Sequence, residues 1–572
     1  MIKARILAGA AAIALTLTGC DQLTGAGDTA TSEVSAEWSA FADQFIEGYF
    51  KQVPFMGALA GRHEYDGQLP DWSKDGVAAQ VAFFEKARAD AKAMDNLSPA
   101  ERIQRDQLVL IADDMLFKLT EEGALGNADF YSWALDPSVY IARPYASAEV
   151  RMKALTKFAD STAVAAGQIR DNMKLPLPAT FRKYADAAYN GYADFYRGDA
   201  RAAFADVDDP ELQAQLVAAT DRAADAMEAL ADYATSKPGT AGGFELGAGR
   251  FLRMNLTGEG IDVSLEELER IGRDDLKRNQ AALEKACATF APGKSMADCM
   301  QMMQADKPAD GPVIEARKQL PMLRDFLITK DLVTIPSDEL ALVEEAPPYN
   351  RQNAAYINIP GPFDKGMPSV YYIAPPDPAW DAATQAGFIP AKADLMFTSI
   401  HEIWPGHFLQ FLHSNRSTNT LSRVFVTYGL AEGWAHYTEE MMLDAGLGAD
   451  DPAYAVGQLS NALLRNCRYL SAIGLHTGGM SVADSVELFK TECYQGEGTA
   501  LQQAARGTYD PRYLNYTLNK LLIRKLREDW TATRGGRKAW KEFHDTFLSY
   551  GGLPVPLIRQ AMMGEDEPRS VF

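Results

Sequence analysis

The chain has 572 residues, of which 47% are hydrophobic and 23% charged, an ordinary composition for a globular protein with a large core. Its formal net charge of −21 argues against nucleic-acid binding and against adsorption on anionic membrane surfaces, because so acidic a protein repels phosphate groups. We therefore expect no nucleic-acid partner.

The N-terminus has the features of an export signal. Lys3 and Arg5 precede an apolar run that is too short to remain as a membrane-spanning helix, and this run ends in LTGC. The ending resembles a bacterial lipobox, in which the cysteine receives the lipid. We predict a lipoprotein signal peptide over residues 1–19, lipidation of Cys20 and a flexible tether over residues 20–36. A plain secretory signal followed by an unmodified cysteine is the alternative.

Asp21 stands directly after the predicted lipidation site. An aspartate at this position resembles the inner-membrane retention signal of enteric bacteria. We therefore expect an exported protein that its lipid anchors to a bacterial membrane, facing the periplasm, and Asp21 suggests the inner membrane.

Most of the remaining chain has the periodicity of amphipathic helices. Residues 77–94, 100–122 and 210–234 place apolar side chains at positions i, i+3, i+4 and i+7, with few glycines or prolines. Ser264 and Glu267 have the spacing of a capping box at the start of a further helix. The pattern predicts a predominantly all-α domain over residues 37–572.

One region has a different composition. Between about residues 332 and 376 the chain is rich in β-branched and aromatic residues and is broken by proline and glycine. Two short strands are predicted there, AAYINI and SVYYIA, just before a helix that carries His401 and Glu402. Such a sheet either holds an extended peptide at its edge beside a metal or is a structural hairpin packed on helices.

The predicted helix ends in HEIWPGHFLQ, which begins like the zinc motif H-E-x-x-H but places the second histidine two positions later. On an unbroken helix, His407 would lie about 120° away from His401, and Pro405 disfavours helix at the preceding residue. If Trp404 and Pro405 bulge outward and Gly406 adopts a conformation that other residues resist, His407 returns beside His401. We therefore predict a metal site with an interrupted helix, and a chance pair of histidines is the alternative.

A candidate for the third ligand lies 25 residues beyond His407. Glu432, His436 and Glu439 follow at i, i+4 and i+7, so a helix presents them on one face. Zinc peptidases of the glutamate-ligand type take their third ligand from a second helix and leave the fourth position to water. Two histidines and a glutamate suit one Zn²⁺ per chain, and they suit Mn²⁺ or Co²⁺ as well.

Several segments carry a resemblance to a known family. In chain order they are GALAGRHEYDGQLPDWS, LEELERIGRDDLKRN, HEIWPGHFLQ, AEGWAHYTEEM, RNCRYLSAIGLHTGGMS, NYTLNKLLIRKLRE and FHDTFLSYGGLP. They resemble the bacterial family known as domain of unknown function 885, over nearly the whole chain after the tether. That family is largely helical and is similar to the thimet-oligopeptidase and carboxypeptidase Taq metallopeptidases, with H-E-x-x-P-G-H in place of H-E-x-x-H.

The resemblance implies a large two-lobed helical fold and a set of roles. The N-terminal lobe is expected over about residues 37–260 and the catalytic part over about residues 330–572, with the small sheet near the active site. The implied metal ligands are His401, His407 and Glu432. Glu402 is implied as the general base that takes a proton from water.

Other residues are expected to contact the substrate or to orient the ligands. Tyr516 could donate its hydroxyl to the oxyanion, as a tyrosine does in the similar peptidases, or be an ordinary core tyrosine. His436 and Glu439 are expected to orient a ligand histidine through its other ring nitrogen. The candidates for binding a substrate carboxylate are Arg465, Arg468 and His476, with a structural ion pair as the alternative for at least one arginine.

Four cysteines follow Cys20 and are candidates for disulfides in an oxidising compartment. The pairs that close the shortest loops are Cys287 with Cys299 and Cys467 with Cys493. Four buried free thiols are the alternative. None of the four has the C-x-x-C spacing of a cysteine metal site.

The sequence as a whole predicts a zinc-dependent metallopeptidase that hydrolyses oligopeptides. A metal-dependent amidase acting on cell-wall peptides or acylated amino acids is one alternative, and a non-catalytic lipoprotein that binds ligands on the same scaffold is another. Two residues depart from the family pattern, Ala472 in place of an aspartate and Asn519 in place of a glycine. We expect these departures to affect the substrate side of the pocket more than the metal.

Overall fold

The computed structural model describes residues 34–347, 351 and 353–572. The predicted signal peptide, Cys20 and Asp21 lie outside these residues. The structure is 68% helical and its sheet has three strands, which confirms the predominantly all-α fold. Within the described part of the chain, no helix is both long and apolar enough to cross a membrane.

The described chain begins with a succession of helices. They are α1 (Ala36–Gln52), α2 (Pro54–Leu59), α3 (Lys74–Ala93), α4 (Pro99–Phe117), α5 (Asp129–Ser132), α6 (Ser138–Ala142), α7 (Ala148–Asn172), α8 (Ala179–Arg197), α9 (Asp199–Ala202), α10 (Pro210–Thr235), α11 (Gly247–Glu259), α12 (Leu265–Phe290), α13 (Met296–Ala305) and α14 (Pro312–Lys330).

Three short strands separate this first series of helices from a second. The strands are β1 (Leu342–Glu345), β2 (Ala355–Asn358) and β3 (Val370–Ile373). The helices that follow are α15 (Ala382–Phe388), α16 (Lys392–Glu402), α17 (His407–Ser414), α18 (Thr420–Val424), α19 (Tyr428–Asp444), α20 (Pro452–Thr477), α21 (Val482–Thr491), α22 (Glu497–Tyr509), α23 (Asn515–Ala532), α24 (Trp540–Ser549) and α25 (Val555–Met563).

Side-chain caps define where several helices begin. Ser98 and Glu101 form a reciprocal capping box at the start of α4. The capping box predicted for α12 is only half formed. The hydroxyl of Ser264 accepts from the peptide N–H of Glu267, but the carboxylate of Glu267 pairs with Arg270 at 2.6 Å instead of reaching back.

Separate hydrophobic cores lie within one compact unit that extends from residue 34 to residue 572. One core consists of apolar side chains between residues 72 and 234. Another is built mainly by α1, α3 and α4 and includes Leu421, on α18, and Phe425, just after it. The largest core is formed mainly by residues 246–558. Helices α16, α17, α19, α20 and α23, which carry predicted site residues, all contribute to it.

The predicted hairpin is present and has an additional strand. Strands β2 and β3 pair antiparallel, with Tyr356 opposite Tyr372, and β1 pairs parallel to β3 on its other side. The sheet order is therefore β1-β3-β2, which leaves β1 and β2 as edges. Sequence patterns missed β1 because Val343 is its only buried residue, so it shows no alternation.

Helices α16, α19, α20 and α23 surround the candidate site, and α19 packs against both α16 and α23. Where α19 crosses α23, Gly433 lies against Asn519, and a Cβ atom on Gly433 would be only 2.4 Å from the Cβ of Asn519. Glycine at this crossing therefore lets the two backbones approach closely. This approach brings Glu432, on α19, and Tyr516, on α23, to the same region.

Two disulfides join neighbouring helices. Cys287 on α12 is bonded to Cys299 on α13, and Cys467 on α20 is bonded to Cys493, just after α21. These are the pairs that close the shortest loops. The second bond ties α20, the helix that carries Arg465 and Arg468, to the segment beside it.

Candidate metal centre

The helix that carries His401 is interrupted before His407. Helix α16 ends at Glu402, and α17 begins at His407. Between them the peptide N–H of Gly406 donates to the carbonyl of Ile400 at 2.9 Å, so the chain folds back over the last turn of α16. The imidazole rings of His401 and His407 come together, with 4.8 Å between their centroids.

The interruption differs from the predicted bulge at Trp404 and agrees with the prediction at Gly406. Trp404 does not point outward, since it is only 2% exposed, and the carbonyl of Pro405 accepts from the indole N–H of Trp434 at 2.9 Å. Gly406, with φ −71° and ψ −131°, adopts a conformation that other residues would resist, as predicted. Glycine is required there because a Cβ atom would lie 1.8 Å from the carbonyl oxygen of His401.

Three side chains converge in the way that a metal ion requires. The Oε2 atom of Glu432 lies 3.2 Å from Nε2 of His401 and 3.5 Å from Nε2 of His407. The ligand atoms of all three residues lie within 4.8 Å of one another. Their side chains are 8% to 16% exposed, so the site is recessed and still accessible.

This donor set fits zinc. Tetrahedral coordination at bond lengths of about 2.0–2.2 Å places two ligand atoms roughly 3.3–3.6 Å apart. The distances from Glu432 to His401 and His407, 3.2 and 3.5 Å, are within about 0.1 Å of this range. Two imidazole nitrogens and one carboxylate oxygen are also the ligands of catalytic zinc sites that keep one position open.

Glu439 contacts Nδ1 of His401, the ring nitrogen that does not face Glu432. Its Oε1 atom lies 2.8 Å from Nδ1 of His401 and 3.0 Å from a guanidinium nitrogen of Arg465. His436 is fully buried, with Nδ1 3.5 Å from Oε2 of the same carboxylate. If Nδ1 of His401 donates to Glu439, its Nε2 is left with a lone pair directed toward Glu432 and His407.

The two carboxylates favour a positive charge at His401. Burial opposes the charged ring, but hydrogen bonds to Glu432 and Glu439 outweigh it and raise the pKa of His401 to about 9. Burial also opposes the charge of Glu432, yet His407 and His401 hold the pKa of this carboxyl well below its usual range. The carboxylates of the pocket therefore favour a cation there. A proton on His401 would compete with a metal ion for the same ring nitrogen.

Glu402 is a buried carboxylate beside the three ligands. It is 8% exposed, and among the described residues none forms a hydrogen bond or ion pair with it. Burial raises the pKa of Glu402, and the neighbouring His407 and His401 oppose this shift. The carboxylate is therefore free to interact with a ligand in the pocket.

Tyr516 lies beside His401, with its ring nearly parallel to the imidazole and 6.2 Å between centroids. The guanidinium carbons of Arg465 and Arg468 stand 5.6 and 4.9 Å from the centre of the tyrosine ring. Burial, followed by the charge of Glu432, raises the pKa of Tyr516, so its hydroxyl keeps its proton at neutral pH. Tyr516 is thus close both to the candidate ligand His401 and to two arginines.

His476 does not join this group. It is 2% exposed, its Nε2 lies 2.8 Å from the carbonyl of Gly507, and its ring packs against Phe244 and Phe251. Burial lowers its pKa. The structure therefore places His476 in an apolar setting between helices. Its described contacts include none of the other candidate site residues.

Three site residues were not identified from sequence patterns. Tyr428 begins α19, packs edge-on against Tyr516 with 5.8 Å between ring centres, and accepts from Arg506 at 3.2 Å. Its position four residues before Glu432 was a usable signal, since it places both side chains on one helix face. Tyr371, on the central strand, is fully buried beside Glu402. Neither Tyr371 nor Arg506 has a local sequence signal, because tertiary packing alone brings them to the site.

Comparisons with known proteins identify the family. The model of a family described as bacterial protein of unknown function (DUF885) matches residues 54–562. The chain belongs to this family. No curated protein matches the DUF885 chain.

Two solved structures share the fold of this DUF885 protein. One, from Shewanella oneidensis, is described as a candidate lipoprotein of unknown function; it is 22% identical with a TM-score of 0.75, and the match covers 92% of this chain and all of that one. The other, a candidate lipoprotein from Colwellia psychrerythraea, is 17% identical with a TM-score of 0.75 over 92% of this chain and 98% of its own.

The two departures from the family pattern lie inside the helix bundle. Ala472 is fully buried on α20. Asn519 is also fully buried, donates to Asn515 at 3.2 Å, and packs against the backbone of Gly433 and Gly429. Asn519 therefore contacts the helix that carries Glu432, so this departure lies nearer to the candidate metal ligands than we expected from the sequence.

Proposed function

We propose that this chain is an exported, lipid-anchored metallopeptidase that hydrolyses oligopeptides with one Zn²⁺ held by His401, His407 and Glu432. The observation that supports it most strongly is an accessible three-ligand set beside Glu402, a buried carboxylate with no partner among the described residues. The resemblance of H-E-x-x-P-G-H to the H-E-x-x-H motif of thimet-oligopeptidase-type enzymes supports the same conclusion. Zn²⁺ in this site would act as a Lewis acid and lower the pKa of a coordinated water to about 7.

The residues of the chain divide the remaining tasks. Glu402 takes the proton from the attacking water and passes it to the leaving amine. Tyr516 donates its hydroxyl to the oxyanion, since a phenol with a pKa of about 10 or more keeps its proton at neutral pH. Glu439 and Arg465 fix the ring of His401, so that little reorganisation is needed during the reaction.

The sheet supplies a place for an extended peptide. Helix α16 packs against β2, an edge strand whose residues Ala355–Asn358 are all partly exposed. A peptide that pairs with an edge strand gains main-chain hydrogen bonds regardless of its sequence. Oligopeptides rather than folded proteins therefore suit the recessed site. The lipobox-like LTGC supports the proposal that this activity is anchored to a bacterial membrane, facing the periplasm.

The first test is the metal content of the purified protein without residues 1–33. Elemental mass spectrometry is expected to find about one zinc per chain, lost in His401→Ala and in Glu432→Ala. In contrast, Glu402→Gln should keep its zinc and lose peptide hydrolysis by at least ~100-fold, because only the proton transfer is removed. Glu528→Gln, a substitution at an exposed glutamate, is the control and should retain both properties. A wild-type protein that binds no metal when zinc is supplied at neutral pH would contradict the proposal.

A further inference from the structure

Three arginines gather around the tyrosine pair of the candidate site. Arg465 and Arg468 stand over the ring of Tyr516, and Arg506 donates to the hydroxyl of Tyr428 at 3.2 Å. All three arginines are only partly exposed. Such a concentration of positive charge is unusual in a chain with a net charge of −21. Like charges in a recessed pocket repel, so each guanidinium requires an anionic partner.

Two of the three arginines have carboxylate partners and one does not. Arg465 pairs with Glu439 at 3.0 Å, and Arg506 pairs with Asp510 at 2.8 Å. Among the described residues, no carboxylate lies within ion-pair distance of Arg468. Its Nε donates to the side-chain oxygen of Gln503 at 2.8 Å, so both Nη atoms are available to another ligand.

The free guanidinium edge of Arg468 has a defined chemical complement. Two parallel N–H donors match the two oxygens of a carboxylate, and such a bidentate pair is stronger than a neutral hydrogen bond. We propose that Arg468 binds the C-terminal carboxylate of the peptide substrate, so that the enzyme removes residues from the C-terminus. This inference rests on the metallopeptidase function proposed above.

The distance between His401 and Arg468 limits the number of C-terminal residues that can be removed in one cleavage. The ring centre of Tyr516 lies 6.2 Å from that of His401 and 4.9 Å from the guanidinium carbon of Arg468, so this guanidinium and the imidazole of His401 are at most about 11 Å apart. One extended residue covers about 3.3–3.6 Å. One or two residues therefore fit between a scissile carbonyl at the metal ligands and a carboxylate at Arg468. Hydrolysis breaks the C–N bond, adds the hydroxyl of water to the carbonyl carbon and its proton to the amine of the released residue or dipeptide.

The test compares three versions of one N-acetylated peptide in the zinc-loaded protein. The first ends in a free carboxylate, the second in a carboxamide, and the third in a carboxamide with glutamate as the last residue. We expect kcat/KM for the free acid to exceed that for the plain amide by about 10- to 100-fold. Mass spectrometry should detect release of one or two C-terminal residues. The third peptide separates a terminal carboxylate from an acidic side chain, and it should behave like the amide.

Variants at Arg468 show whether this residue produces the preference. In Arg468→Gln the ratio of kcat/KM for the free acid to that for the plain amide should fall toward one. In Arg468→Lys the ratio should be intermediate, because lysine keeps the charge but lacks the two parallel N–H donors. The ratio does not depend on any general loss of activity. The matched control is Arg534→Gln. Arg534 lies on the surface, its guanidinium carbon is 4.1 Å from the centre of the Trp530 ring, and no described carboxylate forms an ion pair with it.

The outcomes distinguish the two proposals. If all three peptides are cleaved equally, or if the glutamate amide is preferred, the C-terminal assignment is overturned and the metallopeptidase function stands. If the wild-type ratio is high and Arg468→Gln retains it, a different residue binds the carboxylate and the assignment is again wrong. If the zinc-loaded protein cleaves no peptide in a diverse oligopeptide library, both proposals fail.

Discussion

Glu432 and Glu439 lie two turns apart on α19 and both contact His401, but their surroundings give them different tasks. Glu432 is 16% exposed at its side chain and faces the Nε2 atoms of His401 and His407. Glu439 is 1% exposed and is bound by Arg465 and by Nδ1 of His401. A carboxylate that must bind a metal needs access to the pocket, whereas one that orients a ligand is best held rigid by full pairing.

The role of Glu439 predicts the behaviour of its amide variant. In Glu439→Gln the hydrogen bond to His401 loses its charge and Arg465 loses its ion pair. We expect zinc affinity to fall by about 10- to 100-fold, measured by competition with a chromogenic chelator. Glu440→Gln is a matched neighbour, because Glu440 pairs with Arg278 and Lys520 rather than with the ligands. It should lower the melting temperature and leave zinc affinity within about threefold, and equal losses of affinity in the two variants would contradict the role of Glu439.

At the scale of the elements, the break between α16 and α17 brings together two histidines whose spacing in the sequence does not suit a continuous helix. Six residues of continuous helix would separate the histidines by about 120°. The hydrogen bond from Gly406 to Ile400 instead turns the chain back, so that both Nε2 atoms reach Glu432. The break is stabilised by burial of Trp404, and thus by the same core that packs α19.

Gly406→Ala tests the break directly. The added Cβ would meet backbone carbonyl atoms of His401 and Ile400 at 1.8 and 2.5 Å, so the turn must open. We expect loss of the bound zinc and a destabilisation of about 1–3 kcal/mol or more, as for overpacking of a core. Elemental mass spectrometry and thermal unfolding by circular dichroism measure the two effects. Gly167→Ala, within α7 and with no neighbour within 4 Å, is the control and should be neutral or stabilising. Full zinc occupancy in Gly406→Ala would show that the close approach is not required.

The individual elements follow from local patterns to different extents. Helices with sustained periodicity, such as α10, and strands with β-branched and aromatic residues, such as β2 and β3, were predictable because each pattern records which face is buried. Strand β1 was not, because a single buried residue leaves no alternation. The inward position of Trp404 was also not predictable, since only the packing of α19 against this turn makes a buried tryptophan favourable there.

At the scale of the whole molecule, a long-range contact joins the N-terminal helices to the sheet. His63 lies between two carboxylates, with 3.1 Å to Asp66 and 3.1 Å to Asp364, and Asp364 lies in the loop between β2 and β3. The ring also stacks on Tyr145 at 3.6 Å. Burial opposes the charge, but the hydrogen bonds to Asp364 and Asp66 prevail and raise the pKa of His63 from 6.5 to about 9.

This contact predicts a decline of stability at alkaline pH. Because the folded state binds the proton of His63 more tightly than the unfolded state, the stabilisation is complete below about pH 6.5 and is lost as pH rises through about 9. Wild type should therefore exceed His63→Gln by on the order of 1 kcal/mol at pH 6, with little difference at pH 10. Thermal unfolding across this range measures the difference. His413→Gln is the control, because burial lowers the pKa of His413 and its pH dependence falls below pH 6.5. A wild-type advantage that does not change with pH would refute the ion-pair interpretation.

The sequence by itself determined the helical class, the strand pair, the candidate ligands and the position of Glu402 beside His401. Each of these depends on a pattern within one segment of the chain. The motif H-E-x-x-P-G-H predicted that Glu402 lies beside the ligand His401. The i, i+4, i+7 series from Glu432 predicted that Glu439 lies on the same helix face as Glu432. Only the tertiary structure decided that Tyr428 and Arg506 join Tyr516, that Arg468 has no carboxylate partner among the described residues, and that His476 lies apart from the site. These facts depend on how helices far apart in the chain cross, and helix crossing is set by packing of whole cores rather than by any local pattern.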